Sequence, residues 1–537
     1  MANRFNASRG GLLKVVGIAF VALLSLFLLK PYVASEGKES EVSKAPAVRE
    51  KLAVAGPSEL KNRIDNIVED GEKNGARWGV YVLSMSDGAT LYERNGDKLF
   101  TPASNMKIYT TSVALDFLGA DFRWRTSVYA NSPPDANGRI QGDLVLYGRG
   151  APDLVTESKD ADRGSLARLA DQLYDRGVRT ISGNIIGDES YFRGDALGDG
   201  WQWTDLQWYF GAEASALSIN ANEIDVNFVP STKESEVRTS DTEGYVTVKN
   251  RMIPGEGSSR LTLGIHRGLS DNDVEVWGEF PPGSKGFGAR LSVHQPALWA
   301  AKLFSHALRS KGIVINGQAL SRNSRMPPSQ RFDPAHAIEL ASVVSQPLRD
   351  ITRKTNKESN NLYAELILRT LGRERGEIAP APVGIGRERG DDEAGLAVIR
   401  VWLERAGIPS GQLALHDGSG LSRLDLVTPA ASARLLATVS RLATGGVFYE
   451  SLPIAGRDGT LAGRLQNVAE RVHAKTGSLT YDNSLSGYIT TIDGRNLAFS
   501  IMCNDQTTRA ESGATIDQIV TLLASLPNLP PEKPLKP

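Results

Sequence analysis

The chain of 537 residues is 41% hydrophobic, 23% charged and 7% aromatic, a composition that supports roughly three packed domains and excludes disorder over most of its length. Lys and Arg number 61 against 62 Asp and Glu, leaving a formal net charge of -1, so there is no global positive field of the kind that gathers nucleic acid, and nucleic acid is excluded as a partner. The one cysteine, Cys503, rules out an intramolecular disulfide and a cysteine-based zinc site; it lies in the apolar run Leu497 to Cys503 and reads as a small core residue rather than a nucleophile.

At the N-terminus, Arg4, Arg9 and Lys14 precede the uncharged run Val15 to Leu29, and Tyr32-Val33-Ala34 follows with a small residue at a cleavage position, the pattern of an export signal. The run is shorter than the roughly 20 residues that span a bilayer. Gly10 to Leu29 reaches across if Lys14 snorkels. Residues 1–34 are therefore expected to be a signal peptide or a retained membrane anchor, with the body exported to the periplasm or cell envelope. Membrane association through this segment depends on its retention. Residues 35–57 mix Glu, Lys, Ser, Ala and Pro without periodicity and read as a linker. Residues 527–537, PNLPPEKPLKP, are too rich in proline for helix or sheet and read as a disordered tail.

Between these ends, Trp78 to Leu83 and Thr90 to Tyr92 flank Asp87-Gly88 and predict a hairpin. A helix is expected from Pro102, carrying Met106, Tyr109, Val113 and Phe117 on one stripe. From about Arg123 to His336 short alternating runs such as Gly142 to Tyr147 and Tyr245 to Val248 predict a β-rich section, with amphipathic helices at Leu166 to Arg176 and Pro296 to Lys311. Helical patterns return at Leu348 to Thr370, Glu393 to Ala406 and Pro429 to Ala443, interrupted by the loop Pro380 to Asp392. The end reads as strand Ser486 to Ile492, turn Asp493-Gly494, strand Leu497 to Cys503 and helix Ser512 to Leu526.

The six histidines include no i, i+4 pair, and the chain has no G-x-S-x-G elbow, G-x-G-x-x-G or Walker loop, so zinc hydrolases, Ser-His triads and nucleotide enzymes lose their support. A serine activated by lysine remains. In Ser104-Asn105-Met106-Lys107 the spacing puts the Lys107 amine on the helix face of the Ser104 hydroxyl. The helix N-terminus disfavours an ammonium there, and a second cation would lower the Lys107 pKa further. S-x-x-K also occurs at Ser35 to Lys38 and Ser58 to Lys61, so the motif alone says little.

Lys475-Thr476-Gly477-Ser478, the one K-T-G in the chain, adds weight. On an edge strand Lys475 supplies that second cation, Thr476 and Ser478 offer hydroxyls to a substrate carboxylate, and Gly477 lets a substrate backbone come close. The third element, Ser359-Asn360-Asn361, is one of five S-x-N triplets and reads equally as a helix N-cap. Specificity comes from the order S-x-x-K, S-x-N, K-T-G, with Ser104 and Ser359 separated by 255 residues and Ser359 and Lys475 by 116.

With these three motifs the chain resembles the penicillin-recognising serine acyltransferases. The long first gap is similar to class C penicillin-binding proteins of the D-alanyl-D-alanine carboxypeptidase and endopeptidase type (the DacB type). So are Gly142 to Leu154, Ser359 to Ala364, Asp417 to Ser422 and Arg457 to Leu461. The resemblance implies an α+β penicillin-binding protein/β-lactamase-like transpeptidase fold: an antiparallel five-stranded sheet with helices plus a helical subdomain, here with inserted α+β and β-rich domains. It divides the body into a catalytic domain of residues 58–123 and 338–526 and inserted domains over 124–337.

The resemblance further implies Ser104 as nucleophile, Lys107 as its base, Ser359 relaying a proton with Lys475, and Asn361 holding the substrate amide. Thr476, Gly477 and Ser478 would meet the terminal carboxylate side of the substrate, and the backbone N–H groups of Ser104 and Ser478 would form the oxyanion hole. Asp188, opening Asp188-Glu189-Ser190-Tyr191-Phe192, would meet the free amine of the stem's diamino acid, or else cap its loop. The implied partners are peptidoglycan stem peptides, with β-lactams as covalent inhibitors, and the chemistry needs no metal or cofactor. A serine β-lactamase and an envelope protein that binds β-lactam or peptidoglycan without turnover remain the alternatives.

Overall fold

Alternation along each strand decides the first sheet. In Arg77–Ser84, Val80 and Val82 point to one side and Tyr81 and Leu83 to the other, and all four are buried because both faces of the sheet are covered. The computed structural model describes residues 56–72, 75–156, 164–231, 235–257, 260–380, 388–411, 413–507 and 509–526. The expected export segment 1–34, nearly all of the linker 35–57 and the tail 527–537 lie outside them, as does the middle of the loop Pro380 to Asp392. No helix among the described residues is long and apolar enough to cross a membrane.

The sheet has five antiparallel strands in the order Val472–Leu479, Asp482–Thr490, Asn496–Asn504, Arg77–Ser84, Thr90–Arg94. The hairpin between its last two strands turns at Asp87-Gly88, as expected, with Gly88 at φ +76°. One face is covered by the terminal helices Gly56–Glu72 and Arg509–Ala524, which bring Leu60, Ile64, Ile519 and Leu523 onto Trp78, Phe499 and Cys503. Cys503 is fully buried, and burial pushes its thiol up to about 12, which leaves it a core residue without nucleophilic character. The other face meets the helix Pro429–Val439, on which the helix Met106–Leu118 packs in turn, with the Tyr109 hydroxyl 2.8 Å from that of Ser432. Each large side chain sealed in this way stabilises the fold by about 1.5–3 kcal/mol.

Two helices depart from their expected form. The segment after Pro102 begins as a single 3-10 turn, Ala103–Asn105, and becomes α-helical only at Met106. The reason is tertiary: Thr101 N–H donates to Asn504 Oδ1 at 2.8 Å, pinning the chain to the central strand, and Ala103 takes a left-handed φ of +48°. The pattern Leu348 to Thr370 forms two helices, Leu348–Lys357 and Asn361–Arg375, broken at Ser359, whose φ is +58°. Asn360 caps the second, its Oδ1 accepting from Tyr363 N–H at 3.0 Å.

Among the described residues the β-rich section builds a second five-stranded sheet, in the order Ala319–Arg322, Ile185–Asp188, Leu144–Tyr147, Arg125–Ala130, Ile338–Val344, and three smaller three-stranded sheets. Its last strand begins at Ile338, so the first residues expected on the catalytic side pair with Arg125–Ala130. The helix Pro296–Ser310 packs on this sheet at Gly187, where a Cβ would collide with the Ala297 carbonyl. Gly187→Ala is expected to cost about 1–3 kcal/mol through that overlap, measurable as a lowered urea midpoint. An unchanged midpoint would show that the helix retreats without loss.

Candidate active site

Ser104 sits in the tight turn ahead of its helix, and the turn is held from three sides. Ser484 Oγ donates to the Pro102 carbonyl at 2.6 Å, while Asn105 Nδ2 donates to Ser484 Oγ at 2.6 Å and to the Lys475 carbonyl at 3.1 Å. These bonds lay the turn on the edge strand Val472–Leu479. Gly477 is required for that contact, because a Cβ would meet Ser484 Oγ, the Pro102 carbonyl and Asn105 Nδ2. Its missing side chain thus serves packing within the protein, a different reason from the close substrate approach that the sequence suggested.

Lys107 is fully buried, and its Nζ stands 2.9 Å from Ser104 Oγ, 2.6 Å from Asn361 Oδ1 and 2.7 Å from the Ser419 carbonyl. Burial pushes its pKa down to about 7, against the pull of the Asp417, Glu365 and Asp425 carboxyls. Lys475, also fully buried, has its Nζ 2.9 Å from Ser359 Oγ and 2.8 Å from the Thr476 carbonyl. Burial first, and the Lys107 charge second, hold it well below the ordinary lysine range. Repulsion between the amines is mutual, so a proton on either lowers the proton affinity of the other. Two buried amines facing one another disfavour double protonation whichever carries the proton.

Asn361 links the two halves of the site, since its Nδ2 also donates to the Phe210 carbonyl at 2.9 Å. Ser478 Oγ lies 2.7 Å from Asn483 Oδ1, and the Thr476 hydroxyl is 2.7 Å from that of Thr460. Ala103, Leu421, Leu479, Trp201 and Phe210 form an apolar wall beside the serine. Among the described residues, no three His, Cys, Asp or Glu side chains converge so as to hold a metal ion. What remains is a hydroxyl on a neutral amine, a second hydroxyl and amine within the same cleft, and exposed hydroxyls along an edge strand. That set can support acyl transfer through a serine ester.

The D-Ala-D-Ala carboxypeptidase 3 (S13) family is matched over residues 60–526, nearly the whole described body. The chain belongs to that family. A D-alanyl-D-alanine carboxypeptidase from Actinomadura sp. (strain R39) is 33% identical over 516 residues, covering 93% of this chain and 88% of that protein. The D-alanyl-D-alanine carboxypeptidase DacB of Haemophilus influenzae is 27% identical, covering 81% of this chain and 86% of its own. Among solved structures, penicillin binding protein 4 (dacB) from Haemophilus influenzae is similar with a TM-score of 0.73 at 25% identity, over 86% of this chain and 99% of that one. The chain is thus a serine hydrolase of the S13 family, on the penicillin-binding protein fold.

In this S13 member Ser104, Lys107, Ser359, Asn361, Lys475, Thr476, Gly477 and Ser478 all come together, and Asp188 is the departure. Its carboxylate is fully buried, with Oδ1 accepting from Ser190 N–H at 2.9 Å and Ser190 Oγ at 2.6 Å and Oδ2 lying 3.4 Å from Arg322. That is a loop-capping arrangement, with an arginine near the second oxygen. Sequence reasoning missed the Ser419 carbonyl, because any residue type presents the same oxygen. It missed Thr460 although Arg457 to Leu461 had been singled out, because nothing local to that run points to Thr476.

The amine's environment sets a pH dependence. Neutral Lys107 is the form able to take the Ser104 proton, so acylation of Ser104 should plateau above pH 7 and fall about tenfold per pH unit below an acid limb near the Lys107 value of about 7. Rates of β-lactam adduct formation from pH 5 to 9 measure this, and a flat profile would remove Lys107 as the base.

Proposed function

We propose that the protein is a serine D-alanyl-D-alanine carboxypeptidase and endopeptidase of the cell envelope, acting on peptidoglycan stem peptides through an acyl-enzyme on Ser104 and inhibited by β-lactams. The observation that carries this reading is the Lys107 amine, buried, depressed to about 7 and 2.9 Å from Ser104 Oγ. Membership of the S13 family and the curated relatives support the substrate class. The export pattern of residues 1–34 supports the envelope.

In this mechanism Ser104 Oγ attacks the D-alanyl carbonyl as its proton passes to Lys107. The tetrahedral intermediate collapses, the peptide C–N bond breaks, and Ser359, exchanging protons with Lys475, protonates the leaving amine; the proton that Lys107 took replaces the one given up, so Lys107 is neutral again. Water then attacks the ester with Lys107 again taking the proton, and Ser104 regains its own. Asn361 orients the substrate amide, the hydroxyls of Thr476 and Ser478 bind the carboxylate beside the scissile bond, and the backbone N–H groups of Ser104 and Ser478 hold the oxyanion. Release of D-alanine is carboxypeptidase turnover; release of a cross-linked stem is endopeptidase turnover. We also propose that residues 58–123 and 338–526 form the catalytic unit around an insertion at 124–337, with the pairing of Ile338–Val344 to Arg125–Ala130 favouring a junction past Val344.

Intact mass after incubation with penicillin tests the reading. The wild type should gain one penicilloyl group and Ser104→Ala none, while Lys107→Ala slows acylation by about 10²- to 10⁴-fold. Wild-type protein should also release D-alanine from a pentapeptide stem. Rapid drug hydrolysis without an adduct would instead identify a β-lactamase, and a stable adduct without D-alanine release a β-lactam-binding protein.

A further inference from the structure

A neutral amine has two N–H bonds and one lone pair. Around Lys107, Asn361 Oδ1 at 2.6 Å and the Ser419 carbonyl at 2.7 Å can only accept. Together they take both N–H bonds and leave the lone pair for Ser104 at 2.9 Å. Asn361 belongs to a recognised motif, whereas the Ser419 carbonyl is delivered by a loop that has no part in the mechanism so far.

That loop is wound around one carboxylate. Asp417, 1% exposed, accepts from the N–H groups of Ser419 at 3.1 Å, Gly420 at 2.6 Å, Leu421 at 3.0 Å and Ser422 at 2.9 Å, from Ser419 Oγ at 2.9 Å and from Trp201 Nε1 at 2.8 Å. The preceding peptide ties the loop to the helices that carry Lys107 and Asn361. Thr110 Oγ1 donates to the Gly418 carbonyl at 2.7 Å, and Gly418 N–H donates to Glu365 Oε1 at 2.8 Å. Behind Asp417 lies Asp425, fully buried, whose Oδ1 accepts from His416 N–H at 2.6 Å. Its Oδ2 is sealed from solvent with no N–H donor facing it among the described residues, and its neighbour is the Asp417 carboxyl. Two such groups side by side hold one proton between them. Burial opposes ionisation of Asp417, but the bonds from Asp425, Trp201, Gly420 and Ser422 outweigh it. Burial and the Asp417 charge keep Asp425 well above the carboxylate range. The proton therefore sits on Asp425 and points at Asp417.

We propose that Asp417, bridged to Asp425, is a positioning residue for the reaction: it holds the Ser419 carbonyl against the Lys107 amine and so aims the amine's lone pair at Ser104. The proposal rests on Lys107 being the base. The other charged groups facing this cluster are Glu365 and Arg369 on one helix and Arg400 on the next, with Asp199 against His416 at the loop's start.

The test uses the full chain and reads penicillin acylation rate against pH, with a melting curve for each variant. Asp417→Asn puts an amide NH₂ among the loop's own donors and removes a negative charge beside Lys107. Acylation should slow by about 10²-fold and its acid limb should move to lower pH, because that charge raises the Lys107 pKa. A drop in melting temperature with the rate and limb unchanged would overturn the proposal by reducing Asp417 to a structural role. Asp425→Asn keeps a donor to Asp417 and an acceptor for His416 and should stay within about threefold of wild type, whereas Asp425→Ala should lose about tenfold or more. Equal rates for these two variants would overturn the proposal even if Asp417→Asn failed to fold. Absence of a Ser104 adduct on the wild type would instead remove the underlying mechanism.

Discussion

Removing the Lys107 amine from water is the constraint on which the rest of the site depends. A charged ammonium at full burial is costly, so the group is driven toward its neutral form, the form able to accept a proton. A neutral amine in a dry site must still place its two N–H bonds. The acceptors come from the helix Asn361–Arg375 and from the loop around Asp417, while the serine comes from Lys107's own turn. Three segments far apart in the chain must therefore meet within hydrogen-bond distance of one atom.

That meeting is achieved with strained backbone and missing side chains. Ala103 and Ser359 adopt left-handed φ values of +48° and +58°, conformations that cost a non-glycine residue about 1–3 kcal/mol each and persist where the surroundings over-determine them. One immediately precedes Ser104, and the other is the serine bonded to Lys475. Opposite Ala103, Gly420 sits at φ +78°, where a Cβ would collide with the Ala103 carbonyl. Gly477 performs the same service on the edge strand. The polar bonds of the site and its close backbone contacts are thus two sides of one packing solution.

The β-rich section takes part in this arrangement as well. Residues 198–210 run from it over the loop around Asp417, where Trp201 donates to Asp417, Phe210 offers its carbonyl to Asn361, and Asp205 pairs with Arg423 at 2.7 Å. An element read as a separate β-rich section therefore closes one wall of the cleft, and its contacts reach the residues that hold the Lys107 amine.

The sequence by itself determined which side chains gather at the candidate site. Ser104, Lys107, Ser359, Asn361 and Lys475 were legible because S-x-x-K, S-x-N and K-T-G stand in a fixed order, and because apolar alternation marks the strands that frame them. Tertiary structure decided what local pattern cannot encode. The Ser419 carbonyl carries no side-chain signature, and Asp417 and Asp425 are ordinary loop acids until burial forces them to share a proton. The break at Ser359 is invisible to a 3.6-residue period that continues on both sides of it. Asp188 is capped locally by Ser190, but Arg322, 134 residues away, reaches its second oxygen only because the strands Ile185–Asp188 and Ala319–Arg322 pair. Periodicity and motif spacing report on neighbours along the chain, whereas proton affinity and lone-pair direction depend on neighbours in space, and those are fixed only when the chain has packed.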